Sequence, residues 1–278
     1  MNKQAPVEKD HWSAEAYSSA AAFVPRLTST VFSYLNPQRD ENILDFGCGD
    51  GILTAQIAEC ARSVVGLDAS SSMIASAKER CTDMDNCDFK IQDCRHLDRE
   101  VRATLGSFDK IFSNAALHWI LRDASTRLSV LQAAHDLLIP GGLFVFEMGG
   151  HGNVADVHAA LRAALIHRGV GAEQIQRACP WFFPSETWMT KALTASGFEI
   201  QTLETEYRPT RLTTEAGGGL EGWVRLMGAS FLDALPTQEE RDGAVDEVGQ
   251  VLSDVIAREE DGSMWLGYVR LRAVARRP

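Results

Sequence analysis

The sequence lacks the features that would direct it to a membrane or to nucleic acid. No apolar stretch approaches the roughly 18 residues that span a bilayer, and no apolar leader follows the start. Basic residues are in deficit, because 27 Lys and Arg stand against 38 Asp and Glu and leave a net charge of −11. A non-specific nucleic-acid binder needs a basic face. We therefore expect a cytoplasmic protein whose partner is a small molecule; a monomer is consistent with the sequence, which leaves the oligomeric state open.

Metal-binding patterns are also missing. The six cysteines include no C-x-x-C pair, and the histidines do not show the spacing of zinc ligands. No metal is therefore expected, and in a cytoplasmic protein the thiols are expected to be free. Two of them, Cys48 and Cys94, fall in segments that we predict to lie beside a bound ligand, where a small apolar side chain fits.

The most informative segment runs from Ile43 to Thr54 and reads ILDFGCGDGILT. A short apolar run is followed by Gly47, Gly49 and Gly51, and then at once by a helical pattern. This order predicts a buried strand that turns tightly into a helix, with glycines where the backbone approaches a ligand closely.

A second apolar run ends at Asp68, where an acid at the end of the second strand of a βαβ unit is placed to bind ribose hydroxyls. The turn lacks the third glycine of the dinucleotide motif G-x-G-x-x-G, because Ile52 occupies that position. Asp45 and Asp50 place negative charge beside the turn and would repel a pyrophosphate. The pattern favours S-adenosyl-L-methionine, which carries a cationic sulfur, over the rival nicotinamide or flavin dinucleotide.

Further predicted strands end beside the same ligand, because ligands of open α/β sheets bind at the carboxyl ends of the strands. We expect Asp93 to accept a hydrogen bond from an adenine amino group and Met73 to contact the ribose or adenine. The residues predicted to bind the cofactor from this core are Asp45, Gly47, Cys48, Gly49, Asp68, Met73, Asp93, Cys94, Asn114 and Trp119.

Strand and helix patterns alternate along the first half of the chain. The alternation predicts an α/β fold with a mostly parallel, doubly wound sheet and right-handed crossovers. Before it, a helical pattern over 13–34 is interrupted by Pro25, which predicts a kink or two helices. The predicted strands are 42–46, 63–67, 87–92, 109–113 and 142–148, and the predicted helices between them are 51–61, 71–82 and 124–138.

With these motifs in place, the chain resembles the class I S-adenosylmethionine-dependent methyltransferases over about residues 12–148. Two segments, WSAEAY from Trp12 to Tyr17 and SNAALHW from Ser113 to Trp119, are most similar to the trans-aconitate and malonyl-carrier-protein methyltransferase subgroup. The resemblance implies a Rossmann-like, seven-stranded sheet and a cofactor that leaves as S-adenosyl-L-homocysteine. It also implies that Tyr17 and Trp12 close over the cofactor, and Trp12 is further expected to line the substrate pocket.

After Gly150 the alternation stops and helical, aromatic and turn-rich segments follow. We predict one methyltransferase domain over residues 1–278, with helical cap insertions over the cleft and two antiparallel strands that complete the sheet. Predicted cap helices cover 154–169, 172–178, 219–234 and 237–258, and Ser185 is expected to begin a further helix that ends near 195. The predicted divisions are an N-terminal cover (12–40), a cofactor-binding core (41–148), cap elements (149–196 and 207–260) and closing strands (197–206 and 264–276).

Methyl transfer from a sulfonium needs alignment of the nucleophile more than it needs a catalytic side chain. A base matters only where the acceptor must lose a proton: a carboxylate needs none, a thiol needs modest help and an alcohol needs more. His118, after the fourth strand, is the first candidate for a base or for orienting the substrate, and His151 is the second. For both, a structural role in a loop is the alternative.

The substrate is the least determined part of the prediction. An apolar substrate pocket is suggested by the aromatic residues Trp181, Phe182, Phe183 and Trp188, and packing within the cap is the alternative. A polycarboxylate would need convergent arginines, such as Arg208, Arg211 and Arg225.

Three functional hypotheses stay open. The first is carboxyl O-methylation of a trans-aconitate-like acid, and the second is thiol S-methylation in secondary metabolism, as in fungal enzymes that methylate dithiol natural products. The third is a non-catalytic module that binds the cofactor and regulates a partner protein.

Overall fold

A computed structural model describes residues 28–214 and 218–278. Seven strands form one sheet in the order β3-β2-β1-β4-β5-β7-β6. Strands β1 to β5 are parallel to one another, and β7 runs antiparallel between β5 and β6. The strands are β1 (Asn42–Phe46), β2 (Ser63–Asp68), β3 (Cys87–Ile91), β4 (Phe108–Asn114), β5 (Leu138–Gly149), β6 (Glu199–Arg211) and β7 (Trp265–Arg276). The predicted α/β class, doubly wound and mostly parallel, is confirmed.

Helices cover both faces of this sheet and build a cap at one end of it. The helices before β5 are α1 (Ser29–Leu35), α2 (Ile52–Ala58), α3 (Ser71–Arg80), α4 (Arg99–Leu105), α5 (Leu117–Ile120) and α6 (Arg127–Leu137). Those after it are α7 (Ala155–His167), α8 (Ala172–Ala178), α9 (Glu186–Ala195), α10 (Gly219–Met227), α11 (Ala229–Leu232) and α12 (Gln238–Ile256). None of the helices in these described ranges is long and apolar enough to cross a membrane.

The central strands are apolar on both faces because helices lie on both sides of them. In β1, Leu44 and Phe46 face the larger core, which α6 and α9 complete, whereas Ile43 faces a second core beneath α1. All three side chains are fully buried. This alternation fixes the register of the sheet.

The predicted helix starts at Ser70 and Ser185 are confirmed by their hydrogen bonds. The Ser70 hydroxyl accepts from the backbone N–H of Met73 at 3.3 Å, and the Ser185 hydroxyl accepts from that of Trp188 at 3.2 Å. These bonds satisfy N–H groups that the first turn of a helix leaves unpaired.

Several predicted boundaries were wrong. The sequence reading missed α4, a short helix whose two apolar residues, Val101 and Leu105, are only partly buried against the main core. Strand β5 starts at Leu138, not at 142, and takes in the Pro-Gly pair assigned to the turn. Strand β6 continues to Arg211, so residues 207–211 belong to the sheet and not to the cap.

The cap has an apolar core of its own. Helices α7 and α12 supply fully buried side chains such as Leu161 and Val248, and Trp181 and Trp223 join the same cluster. Helix α9, predicted to belong to the cap, instead packs Met189 and Leu193 into the main core beside the sheet. The cap lies at the edge where β5 ends and β7 begins, which is the carboxyl edge of the parallel strands.

Candidate active site

The glycine turn after β1 has the tight geometry that the sequence predicts. Gly47, Gly49 and Gly51 all have positive φ, at 73°, 56° and 79°. Residues other than glycine rarely adopt this backbone conformation. A Cβ on Gly47 would lie 2.2 Å from that of Ala116, so the turn packs tightly against the loop after β4. A Cβ on Gly49 would meet no described atom within 4 Å, which leaves one side of the turn open to a ligand.

Asp68, at the end of β2, holds this turn in place. Its carboxylate accepts the backbone N–H of Gly49 at 3.0 Å and that of Ser70 at 2.9 Å. Each carboxylate oxygen has a second lone-pair direction. Asp68 can therefore fix the turn and still accept the hydroxyl groups of a ribose.

Asp45 lies beneath the turn and is almost completely buried. It accepts a hydrogen bond from the Thr54 hydroxyl at 2.7 Å. Burial, reinforced by the charge of Asp68, raises the pKa of Asp45 to about 7, although the Thr54 bond acts in the opposite direction. A cation bound above the turn would favour the ionised form of Asp45.

Asn114, at the end of β4, is the clearest sign of a ligand. Both polar atoms of its side-chain amide are enclosed, and neither has a hydrogen-bond partner among residues 28–214 and 218–278. An enclosed amide without partners costs free energy, and in native proteins such a group is usually satisfied by a ligand or a water. The next residue, Ala115, has a φ of 58°, which is unusual for alanine and bends the chain away from the strand.

The other predicted cofactor residues surround the same edge, with different functions. Asp93 accepts several hydrogen bonds from Arg95, including one at 2.7 Å from the guanidinium, so its carboxylate is already engaged in a local ion pair. Met73 is buried in the first turn of α3. Cys48 and Cys94 are buried, and burial raises the pKa of both thiols, as expected for small apolar side chains beside a ligand.

His118, in α5, reaches the end of β5. The backbone N–H of Gly149 donates to its Nδ1 at 3.3 Å, so Nδ1 is the acceptor and the neutral ring carries its proton on Nε2. Burial, together with repulsion from Arg270, lowers the pKa of His118 well below its usual value. His118 is thus a neutral hydrogen-bond donor, and the predicted role as a general base is not supported by this geometry.

The aromatic segment after α8 divides into two faces. Trp181 and Phe183 stack on each other, with ring centroids 5.6 Å apart, and Phe183 lies 5.6 Å from the His118 ring. Trp119, another predicted site residue, lies 5.7 Å from Trp181. These three rings and His118 form a continuous aromatic wall, in which Trp119 and Phe183 are only partly buried.

Phe182 and Trp188 do not belong to this wall, which corrects the prediction that all four aromatic residues line one pocket. Their rings contact each other at 4.8 Å, and the Arg127 guanidinium lies 3.5 Å from the centre of the Phe182 ring. The reason is that Phe182 and Trp188 pack against the main core, whereas Phe183 packs against the core of the cap.

The sequence reading missed a cluster of charges where β5, β6 and β7 meet. Glu147 of β5 is almost fully buried and binds Arg208 at 2.9 Å, Arg270 at 2.9 Å and Arg272 at 2.6 Å. Burial opposes ionisation of Glu147, but the charges of Arg270 and Arg208 outweigh it and lower its pKa. The sequence signal that could have revealed this cluster is the recurrence of charged residues along β6 and β7.

Of the three arginines that the sequence offered, only Arg208 takes part in this cluster. Arg225 is bound by Glu221 and Asp242, both at 2.8 Å. Arg211 is exposed at the end of β6.

Trp12 and Tyr17 fall outside the described residues, so their predicted roles are not tested. His151 is exposed, and its backbone N–H donates to the carbonyl of Pro184 at 2.8 Å. No group of metal-binding side chains occurs within 28–214 and 218–278, and all six thiols are free.

Comparison with known proteins identifies the family of this fold and site. A methyltransferase-domain family profile matches residues 43–142, which contain the glycine turn, Asp68 and Asn114. An uncharacterized methyltransferase of Schizosaccharomyces pombe is 37% identical over 267 residues, covering 96% of this chain and 98% of the relative. An Escherichia coli trans-aconitate 2-methyltransferase is 25% identical over 272 residues, covering 96% and 98% of the two chains.

Two further matches are consistent with this family, one in sequence and one in fold. A malonyl-[acyl-carrier protein] O-methyltransferase of Bacillus cereus is 26% identical over 179 residues, covering 62% of this chain and 63% of the relative. A Bacillus halodurans crystal structure described as a methyltransferase has the same fold, with a TM-score of 0.61, 15% identity and coverage of 91% and 99%. The chain therefore belongs to the class I S-adenosylmethionine-dependent methyltransferases.

Proposed function

We propose that this protein transfers a methyl group from S-adenosyl-L-methionine to a carboxylate oxygen of a small acid. The residues at the cofactor edge fit that donor. Asp68 is placed to bind the ribose, the open side of Gly49 admits the methionine portion, and the enclosed amide of Asn114 offers both a donor and an acceptor. Bound there, the donor supplies an electrophilic methyl group.

The protonation and hydrogen bonding of His118 indicate which type of group accepts the methyl. To act as a base, the ring would have to accept a proton on Nδ1, where the Gly149 N–H already donates. The resulting imidazolium would be buried and close to the Arg270 charge, and these two effects lower the pKa of His118. A carboxylate is already ionised near neutral pH and loses no proton on methylation, so it suits a site with this histidine.

His118 has a different use with such an acceptor. Its Nε2–H is a donor, and the ring lies within 5.2 Å of Trp119 and 5.6 Å of Phe183 between centroids. A donor fixed in an aromatic wall can orient one carboxylate oxygen and leave the other free for attack. Orientation of this kind can contribute much of the barrier reduction in a displacement reaction.

The relatives point in the same direction. The names of two matched enzymes specify an acid or an acyl group as the substrate: trans-aconitate in one and a malonyl group on a carrier protein in the other. The chain matches the first over nearly its whole length, including the cap. That coverage supports a free small acid over a carrier-bound one.

Thiol methylation is the competing function, favoured by the aromatic wall alone. A thiol must lose its proton, and a positioned base typically contributes about 10²–10⁴-fold to such a step. The two functions therefore differ in their dependence on His118.

The test compares trans-aconitate and phenylsuccinate with dithiothreitol and benzyl mercaptan, by following S-adenosylhomocysteine release with wild-type and His118→Ala proteins. We expect product with at least one acid and none with the thiols, and a loss of less than about tenfold in the acid reaction on replacing His118. Turnover of thiols that falls 100-fold or more in His118→Ala would instead assign S-methylation with His118 as the base. Tight cofactor binding without any methylated acceptor would favour the non-catalytic module.

A further inference from the structure

The charge cluster around Glu147 has an unusual balance. Arg270 and Arg272 have side chains only 6% and 5% exposed, Arg208 is 18% exposed, and the only equally buried carboxylate among them is Glu147, at 2%. Burying positive charge in excess is costly unless an anion compensates it. Glu204 and Glu206 lie nearby but are 41% and 44% exposed, and both bind Arg272.

The three guanidinium groups differ in what they bind. Arg272 contacts Glu147, Glu204 and Glu206 and is thereby compensated. Arg270 forms one hydrogen bond within the described ranges, from its Nε to Glu147 at 2.9 Å. Its two terminal amino groups, which together carry four N–H donors, have no acceptor among residues 28–214 and 218–278.

Arg270 lies beside the aromatic wall. It is the register partner of Gly149 across β5 and β7, and partners in a ladder project their side chains to the same face. A Cβ added to Gly149 would lie 2.5 Å from the Phe183 ring, so Phe183 occupies that face next to Arg270. His118, which accepts the Gly149 N–H, is close enough for the Arg270 charge to lower its pKa.

We propose that Arg270 anchors a carboxylate of the methyl acceptor through its two terminal amino groups, while the carbon skeleton lies against Phe183 and Trp119. Planar guanidinium and carboxylate groups match in such a paired geometry. The anchored carboxylate is held in place, and a second carboxylate receives the methyl group. The acceptor is therefore an acid with two or more carboxylates. This inference rests on the proposed function and specifies its substrate class.

Distance argues against the alternative that Arg270 binds the carboxylate of the cofactor itself. Strand β7 is three positions from β1 in the order β1-β4-β5-β7, which is about 14 Å at the usual spacing of strands. The cofactor-binding turn follows β1, and Asn114, at the end of β4, lies between that turn and β7. Arg270 lies beyond Asn114, on the side of the acceptor.

The test uses calorimetry on the full-length protein saturated with S-adenosylhomocysteine. The probes are trans-aconitate and phenylsuccinate, each compared with its fully amidated analogue. We expect the acids to bind wild type and the amides not to bind, and Arg270→Gln to weaken binding of the acids by about 10- to 100-fold. The affinity for S-adenosylhomocysteine should change by less than about twofold.

Two further variants keep the result interpretable. Arg270→Lys retains the charge and loses the paired donors, so it should weaken acid binding at least about fivefold, and it serves if the glutamine variant does not fold. Arg276→Gln, on the same strand but 42% exposed and paired with Glu199, should bind the acids as wild type does. Failure of wild type to bind either acid, or equal binding by the Arg270 variants, would overturn the inference.

The same experiment separates this inference from the proposed function. If S-adenosylhomocysteine itself does not bind, the proposed function fails. If it binds and the acids do not, only the substrate assignment fails. A selective loss of S-adenosylhomocysteine affinity in Arg270→Gln would move Arg270 to the cofactor and also contradict the inference.

Discussion

Two parts of the carboxyl edge of the sheet differ in charge and in how the chain builds them. The cofactor edge, formed by the ends of β1, β2 and β4, holds glycines, Asp45, Asp68 and the Asn114 amide, which has no partner among the described residues. The acceptor edge, formed by β5 to β7 and the aromatic wall, holds Arg270 and its partners around Glu147. One is acidic and suits a cationic donor, and the other presents the Arg270 guanidinium, which suits an anionic acceptor.

This difference suggests a division of the site in which each edge binds one of the two reactants. Opposite charges attract the two reactants to neighbouring places on one edge, and His118, whose Nδ1 accepts the Gly149 N–H, lies between them. If the division is correct, substitutions on one edge should change the affinity for one reactant and leave the other affinity nearly unchanged. The following predictions test that separation, starting with the largest expected effect.

Asp68→Ala should weaken S-adenosylhomocysteine binding by about 10- to 150-fold, because charge-assisted hydrogen bonds contribute about 1.5–3 kcal/mol each. Part of the loss would come from the turn, since Asp68 also accepts the Gly49 N–H. Calorimetry provides the measurement, and Asp88→Ala, an exposed acid on β3, is the matched control. Unchanged affinity in Asp68→Ala would contradict the assignment of Asp68 to cofactor binding.

Substitutions of the neighbouring Phe182 and Phe183 should have different effects, one on stability and the other on acceptor binding. Phe183→Ala should raise the KM for the acid about tenfold, because it removes an aromatic contact worth roughly 1–1.5 kcal/mol. Phe182→Ala should leave KM unchanged and lower the free energy of unfolding by about 2 kcal/mol, since its ring packs on Trp188 and Arg127. Urea unfolding and steady-state kinetics on both variants check the pair, and a reversed pattern would break the assignment of the wall.

Asn114→Leu should lower the affinity for the cofactor and raise the stability of the protein. Removing an enclosed amide that has no partner within residues 28–214 and 218–278 should raise the free energy of unfolding of the ligand-free protein by about 1 kcal/mol, while cofactor binding weakens about fivefold. Ser113→Ala is the contrasting control, because the Ser113 hydroxyl donates to the Phe46 carbonyl at 2.7 Å. That variant should lose stability and keep its cofactor affinity. A destabilised Asn114→Leu protein would mean that the amide serves the fold.

The pKa of Asp45, raised to about 7 from an ordinary 3.8, predicts two opposite pH effects. Between these values the folded protein binds a proton that the unfolded chain has lost, so the stability of the ligand-free protein falls as pH rises from 3.8 to 7. Cofactor affinity should rise through pH 7 as Asp45 ionises, by roughly 1 kcal/mol or about fivefold. Asp45→Asn should flatten both profiles, and a persistent pH dependence in that variant would assign it to another group.

The cofactor edge could be predicted from the sequence because its motifs are local. The strand, the glycine turn and the acid at the end of the next strand occur within residues 43–68, and each has its own backbone signature. The acceptor edge could not be predicted in the same way. Glu147 and Arg270 are 123 positions apart, and they meet only because β7 inserts between β5 and β6.

Two smaller failures have the same cause. The sequence named Arg208 but could not show that it converges with Arg270, which it did not single out. It grouped Phe182 with Phe183, although Phe182 packs against the main core and Phe183 against the core of the cap. Both depend on which face of an element is covered, and that is decided by parts of the chain that are distant in sequence.

The chemical identity of the methylated bond tests the central claim most directly. After one turnover with methyl-labelled S-adenosylmethionine and trans-aconitate or phenylsuccinate, the product is treated with mild alkali. A methyl ester releases the label as methanol, and this is the result we predict. Label that resists alkali, or label that appears only on thiol acceptors, would contradict methyl transfer to a carboxylate.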